Sequence, residues 1–169
     1  MRPLVLLLAL ALLAGCDNPF APALDRSDGS GGSILGDQRQ IEGVFQNFRQ
    51  SYAFRDSTIY GQLLAPSFSF EYNDYDNGGI VDRWGRDQDI RTTHGLFQNT
   101  QRLDLVWNSV ISSVVAPDSL HAVVLRNFNL TVTFSASDVV RVDGYAKLTM
   151  QRQAIGEVWM ITQWTDASN

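Results

Sequence analysis

Residues 122–134 and 140–151 alternate apolar and polar side chains, and no other feature narrows the chain's possible folds as much. Ala122, Val124, Phe128, Leu130, Val132 and Phe134 share one parity, while Asn127, Asn129, Thr131 and Thr133 hold the other. Val140, Val142, Ala146, Leu148 and Met150 repeat the pattern against Arg141, Asp143, Tyr145, Lys147, Thr149 and Gln151. A period of two sustained this long describes strands with one dry and one wet face. Successive strands joined by short turns form an antiparallel sheet, whose dry face needs a cover from elsewhere in the chain. Leu103, Leu105 and Trp107 offer a similar strand, with Pro117-Asp118 as the turn after it. In the last strand, residues 158–164, Trp159 and Ile161 lie on one parity and Trp164 on the other. That switch predicts a bulge near Thr162 or Gln163.

The cover comes from the preceding residues. Ile41, Phe45, Phe48 and Tyr52 recur at helical spacing, with Asp37 as a candidate N-cap. Gln38, Arg39, Gln46, Asn47 and Arg49 are expected on the wet side of that helix. Asp56 suits the N-cap of a second, short helix that Pro66 would close. Phe68, Phe70 and Tyr72 alternate with Ser67, Ser69 and Glu71 as a half-buried strand, and residues 73–79 read as a polar turn. A third helix is expected over residues 86–97, its thin stripe made of Ile90, His94 and Phe97.

These elements resemble, in order, the nuclear transport factor 2-like superfamily: helix, Arg55-Asp56 turn, short helix, Phe68-Ser69-Phe70 strand, third helix and long hairpin strands. The ending Glu157-Val158-Trp159-Met160-Ile161-Thr162-Gln163-Trp164 completes the likeness, which spans about residues 37–166. The superfamily includes ketosteroid isomerases, scytalone dehydratases and polyketide cyclases. The resemblance implies an α+β fold, a curved antiparallel sheet wrapped as a cone around about three helices, with a pocket at the open end. It also implies a homodimer through the outer sheet face.

Ahead of this domain, Arg2 precedes the apolar run 4–13, which covers ten residues, whereas a bilayer-crossing helix needs about 20. A run this short followed by small residues fits a cleaved signal segment. Leu13-Ala14-Gly15-Cys16 resembles the lipobox of bacterial lipoproteins. The resemblance implies removal of residues 1–15, acylation of Cys16 and anchoring on the extracytoplasmic side of a bacterial membrane. The competing reading is an ordinary signal peptide cut after Ala14 or Gly15, with Cys16 left as a thiol. Cys16 is the only cysteine, so no disulfide within the chain braces the fold. Residues 16–36 would then be the lipidated cysteine and a Gly/Ser-rich tether, averaging about 25 Å end to end, and residues 37–169 the domain. The membrane leaflet stays open.

The formal net charge is −5, with 13 basic and 18 acidic residues. The basic residues are scattered, without the clustered footprint of a nucleic-acid binder, so no nucleic acid is expected as a partner. No cofactor is expected. Glu71, Asp74 and Asp76 gather near one turn, but the spacing of a calcium loop is missing. A solvated turn accounts for them, and no metal is expected.

Enolisation of the ketosteroid isomerase kind needs a carboxylate base and an oxyanion hole. Tyr52 and Tyr60 are candidate phenols and Glu71 a candidate base. His94 is a second candidate base, because scytalone dehydratase-like enzymes use histidine; a structural histidine is the plainer account. No acid falls among the dry positions Leu105, Trp107, Phe128, Leu130, Leu148 and Met150 of the later strands. Arg126 is the one charge in its dry series. A strand-end residue snorkelling to solvent explains it, and so does a pocket cation for an acidic ligand; Trp107 and Arg126 are the candidate ligand-binding residues. The favoured function is a membrane-anchored envelope lipoprotein binding a small apolar ligand or a protein partner without catalysis. The alternative is a lyase, isomerase or hydrolase of the same superfamily with Glu71 or His94 as base.

Overall fold

A computed structural model describes residues 34–74 and 80–166. Leu13, Ala14, Gly15, Cys16, the signal segment, residues 16–33 of the tether and residues 75–79 of the polar turn lie outside the described residues. Ile41, Phe45, Phe48 and Tyr52 form the inner stripe of helix α1 (Ile41–Phe54). Asp37 is not its N-cap. Gln40 takes that position without a side-chain bond, while Asp37 closes the preceding turn by accepting from the Arg39 and Gln40 amides at 3.0 and 2.9 Å. Asn47, expected on the wet side, is buried. Its amide grips Gly36 in both directions, at 2.6 and 3.1 Å, and Gln46 Nε2 donates to Ile34 O at 3.1 Å. The packed structure therefore takes in residues 34–36, which the sequence had assigned to the tether.

Arg55 turns the chain with a left-handed φ of 55°, and Asp56 caps helix α2 (Ser57–Leu63), accepting from the Thr58 and Ile59 amides at 2.8 and 3.1 Å. Strand β1 (Leu64–Asp74) follows directly. Pro66 lies inside it, after the helix has already ended. Its missing N–H does no harm there, because β1 loses its partner between Leu64 and Ser69. Strand β2 (Ile80–Gly85) pairs with β1 from Ser69 to Asp74, and helix α3 (Arg86–Asn99) follows it. The sequence reading did not anticipate β2. It is an edge strand with Val81 57% exposed, so burial had imposed little apolar pattern on it.

Strands β3 (Arg102–Val115), β4 (His121–Ser135), β5 (Asp138–Gln151) and β6 (Met160–Asp166) complete one sheet of order β2-β1-β6-β5-β4-β3. Its pairings are antiparallel except one, since β1 and β6 run parallel. The expected purely antiparallel sheet is thus mixed, because these two strands are brought together without a connecting hairpin. The bulge expected in the last strand is present: the β5–β6 register passes over Thr162. Further shifts in β3 around Val110 bend the long hairpin. The helices lie against one face, and Phe45, Phe48, Tyr52, Tyr60, Phe97, Leu103, Leu148, Met150 and Ile161 form the shared core. No described helix is long and apolar enough to cross a membrane.

Candidate functional site

Phe48 stands at the centre of the cone, 1% exposed. Trp107, Trp164 and Tyr60 meet its ring edge-on and Tyr52 stacks on it, all at centroid distances of 5.3–5.4 Å. Trp107 Nε1 and Trp164 Nε1 are buried in this packing without a hydrogen-bond partner.

One side of the ring cluster is polar. Tyr60 is fully buried, and its hydroxyl donates to Asp89 Oδ2 at 2.5 Å. Trp84 Nε1 donates to the other carboxylate oxygen at 2.9 Å. Asp89, in the first turn of α3, is 4% exposed. Burial raises its pKa above the ordinary 3.8, against the two hydrogen bonds that favour the charged form. The Tyr52 and Tyr60 rings lie 6.1 Å apart. Burial pushes both phenols above their ordinary value, the charge of Asp89 acts in the same direction, and a hydrogen bond with Thr93 opposes it. Both hydroxyls therefore stay protonated at neutral pH, and that of Tyr60 serves as a donor to Asp89.

The other candidate bases are elsewhere. Glu71 belongs to the parity opposite Phe68 and Phe70, on the outer sheet face, and pairs with Arg83 across the β1–β2 ladder at 2.5 Å. His94 is exposed on α3, with Nδ1 3.2 Å from Ser57 Oγ. The fold thus unites Tyr52 with Tyr60 but brings neither Glu71 nor His94 to them. The acid it does bring, Asp89, was not anticipated from the sequence. An acidic residue in the first turn of a helix reads as favourable to the helix dipole, and the strand supplying Trp84 went unrecognised.

Trp107 and Arg126 do come together, in a cleft of about 200 Å³ between α1 and the β3–β4 pair. Glu42, Phe45, Gln46, Arg49 and Val106 complete its lining. Arg126 is not a strand-end residue: it pairs with Val110 on one side and Ala146 on the other. Its side chain is 12% exposed. Nε donates to Asn108 O at 2.9 Å, Nη1 donates to both Glu42 oxygens at 3.0 and 2.8 Å, and the guanidinium lies 4.9 Å from the Phe45 ring centre. Phe45 meets Trp107 edge-on at 5.0 Å. Glu42 and Arg49, one on each side of the α1 stripe, were unremarkable in sequence. Among the described residues, no cluster of three or more His, Cys, Asp or Glu side chains suits a metal ion.

No protein-family model and no curated protein matches the chain. Solved structures do. A protein from Novosphingobium aromaticivorans, provisionally described as a scytalone dehydratase, is similar with a TM-score of 0.64 at 11% identity, over 78% of this chain and 83% of that one. A provisionally assigned dehydratase of the NTF2-like family from Streptomyces avermitilis gives 0.60 at 16%, over 77% and 94%. The fold is that of the nuclear transport factor 2-like proteins. A Xanthomonas campestris structure, provisionally described as a calcium/calmodulin-dependent protein kinase II association domain, gives 0.60 at 15%, over 79% and 89%. At these identities the domain shares a scaffold with proteins named for a reaction and with one named for association. The scaffold alone does not choose between them.

Proposed function

We propose that this chain is an envelope lipoprotein, held on the extracytoplasmic side of a bacterial membrane by acylated Cys16, whose nuclear transport factor 2-like domain binds a small ligand or a protein partner without turning it over. One observation carries the absence of catalysis. The buried acid beside the phenols, Asp89, has each oxygen committed to a donor, Tyr60 and Trp84, and the ring beside that cluster, Phe48, is enclosed by four others. A general base must reach the substrate proton directly or through one water. This carboxylate instead ties α2, β2 and α3 together. A second copy meeting the outer sheet face is part of the same proposal, since Val106, Val114 and Tyr145 are exposed on that parity.

The decisive experiment uses the purified full chain in detergent. A fragment library is screened by ligand-observed NMR, alongside assays for dehydration and enolisation of small carbonyl compounds. Binding without turnover is expected. Steady turnover that disappears in Tyr60→Phe and Asp89→Asn would refute the proposal in favour of a lyase or isomerase, the reading that the dehydratase names among the similar structures favour. Fatty-acid labelling tests the anchor: label is expected on the wild type and absent from Cys16→Ser.

A further inference from the structure

We infer that the cleft between α1 and the β3–β4 pair takes a small carboxylate ligand with a flat apolar body, and that the Glu42 side chain occupies the place of the ligand's anion until it is displaced. The inference rests on the ligand-binding reading above and names the site and chemical class.

The charge balance of the cleft points to an anion. The chain carries a formal net charge of −5, yet this cleft is lined by two arginines, Arg49 and Arg126, against one acid, Glu42. Arg49 is exposed at the cleft and has no ion-pair partner among the described residues. Arg126 is held in place from several sides: strand pairing fixes its backbone, Asn108 O accepts from Nε, and the Phe45 ring lies against the guanidinium. Little side-chain freedom is left to lose when it binds an anion.

The partner it now holds shows which anion fits. Both Glu42 oxygens lie within 3.0 Å of Nη1, so the guanidinium is already positioned on a carboxylate. The two sides of this pair are unequal. Arg126 is 12% exposed, whereas Glu42 is 70% exposed. An exposed glutamate at the end of a flexible side chain is weakly held by such a pair. An incoming carboxylate that also brings apolar surface has the advantage over it. That surface would pack on Phe45 and Trp107, which line the same cleft. The volume of about 200 Å³ equals roughly seven waters at about 30 Å³ each, room for a single-ring carboxylate.

The test titrates the full chain in detergent with benzoate, and with benzamide as the neutral analogue of the same shape, reading tryptophan fluorescence and NMR shifts. Saturable benzoate binding that salt weakens is expected, with benzamide binding at least about fivefold more weakly. Glu42→Gln removes the internal competitor and is expected to tighten benzoate binding about threefold to fivefold. Arg126→Met is expected to abolish binding. Arg49→Gln, an exposed change that leaves the fold intact, is expected to weaken it severalfold and covers the case in which Arg126→Met fails to fold. Equal affinity for benzoate and benzamide, or an unchanged affinity in Glu42→Gln, overturns the inference. Neutral fragments binding this cleft while benzoate does not would overturn it too, yet leave the broader ligand-binding reading standing. Steady turnover of a carbonyl substrate would instead strike at that broader reading.

Discussion

Replacing Phe48 by alanine tests whether the cone is a packed core or a loosely filled pocket. The ring is 1% exposed and meets four other rings, three of them edge-on. Truncating a buried phenylalanine costs about 3–5 kcal/mol, and the cost grows with the cavity that neighbours fail to fill. Here the neighbours are held by further rings. Trp107 packs on Phe45 at 5.0 Å, Tyr52 on Phe97 at 5.2 Å and Trp164 on Phe70 at 5.1 Å. Collapse is therefore restricted, and the loss belongs near the upper end, about 4–5 kcal/mol. With a urea m value of about 1.5–2 kcal/mol/M, the unfolding midpoint drops by roughly 2–3 M. Phe54→Ala is the matched control, since Phe54 is 53% exposed and its truncation is expected to stay within about 0.5 kcal/mol. Equilibrium unfolding followed by tryptophan fluorescence and by circular dichroism measures both. A loss below about 2 kcal/mol for Phe48→Ala, or one matching the control, would refute the reasoning. The rings would then be loosely packed, and the centre of the cone would be open to a ligand after all.

Three further changes probe single elements. Asp56→Ala removes the acceptor of two α2 amides and is expected to lower stability by about 1 kcal/mol in the same unfolding assay; no loss would mean that water satisfies those amides equally well. Gly43→Ala adds a Cβ 1.9 Å from Asp37 O, so a net loss is expected although alanine is the better helix former by about 1 kcal/mol; a more stable variant would show that the 37–40 turn moves aside freely. Asp89 has its pKa raised by burial. Its contribution to stability is therefore present below the ordinary carboxylate value and is lost as pH rises through the raised folded value. Asp89→Asn lacks this loss, so its stability relative to the wild type should climb from about pH 4 to pH 7, and a difference constant over that range would contradict the assignment.

The long strands were legible because their pattern is local and repeated. Register places Ala122, Val124, Phe128 and Val132 on the buried face, and the outer face carries Asn127, Asn129, Arg141 and Asp143. The candidate site was legible only in part. Trp107 and Arg126 were identifiable because an indole and a guanidinium stand out in a dry series. Asp89 was not, since its burial depends on Tyr60, 29 residues away, and on Trp84 in an edge strand. Glu71 looked suitable as a base, but its parity places it on the outer face, paired with Arg83.

From the sequence alone come the α1 stripe, the Asp56 cap, the alternating hairpin, the bulge at Thr162 and the single cysteine placed after a short apolar run. Each rests on neighbours a few residues apart, where period and cap chemistry act directly. Only the tertiary structure decides that β1 lies parallel to β6, that Asn47 grips Gly36, and that Arg126 faces Glu42 across 84 residues of chain. Those contacts follow from which surfaces the sheet and helices must bury together, and residue order by itself carries no such pairing.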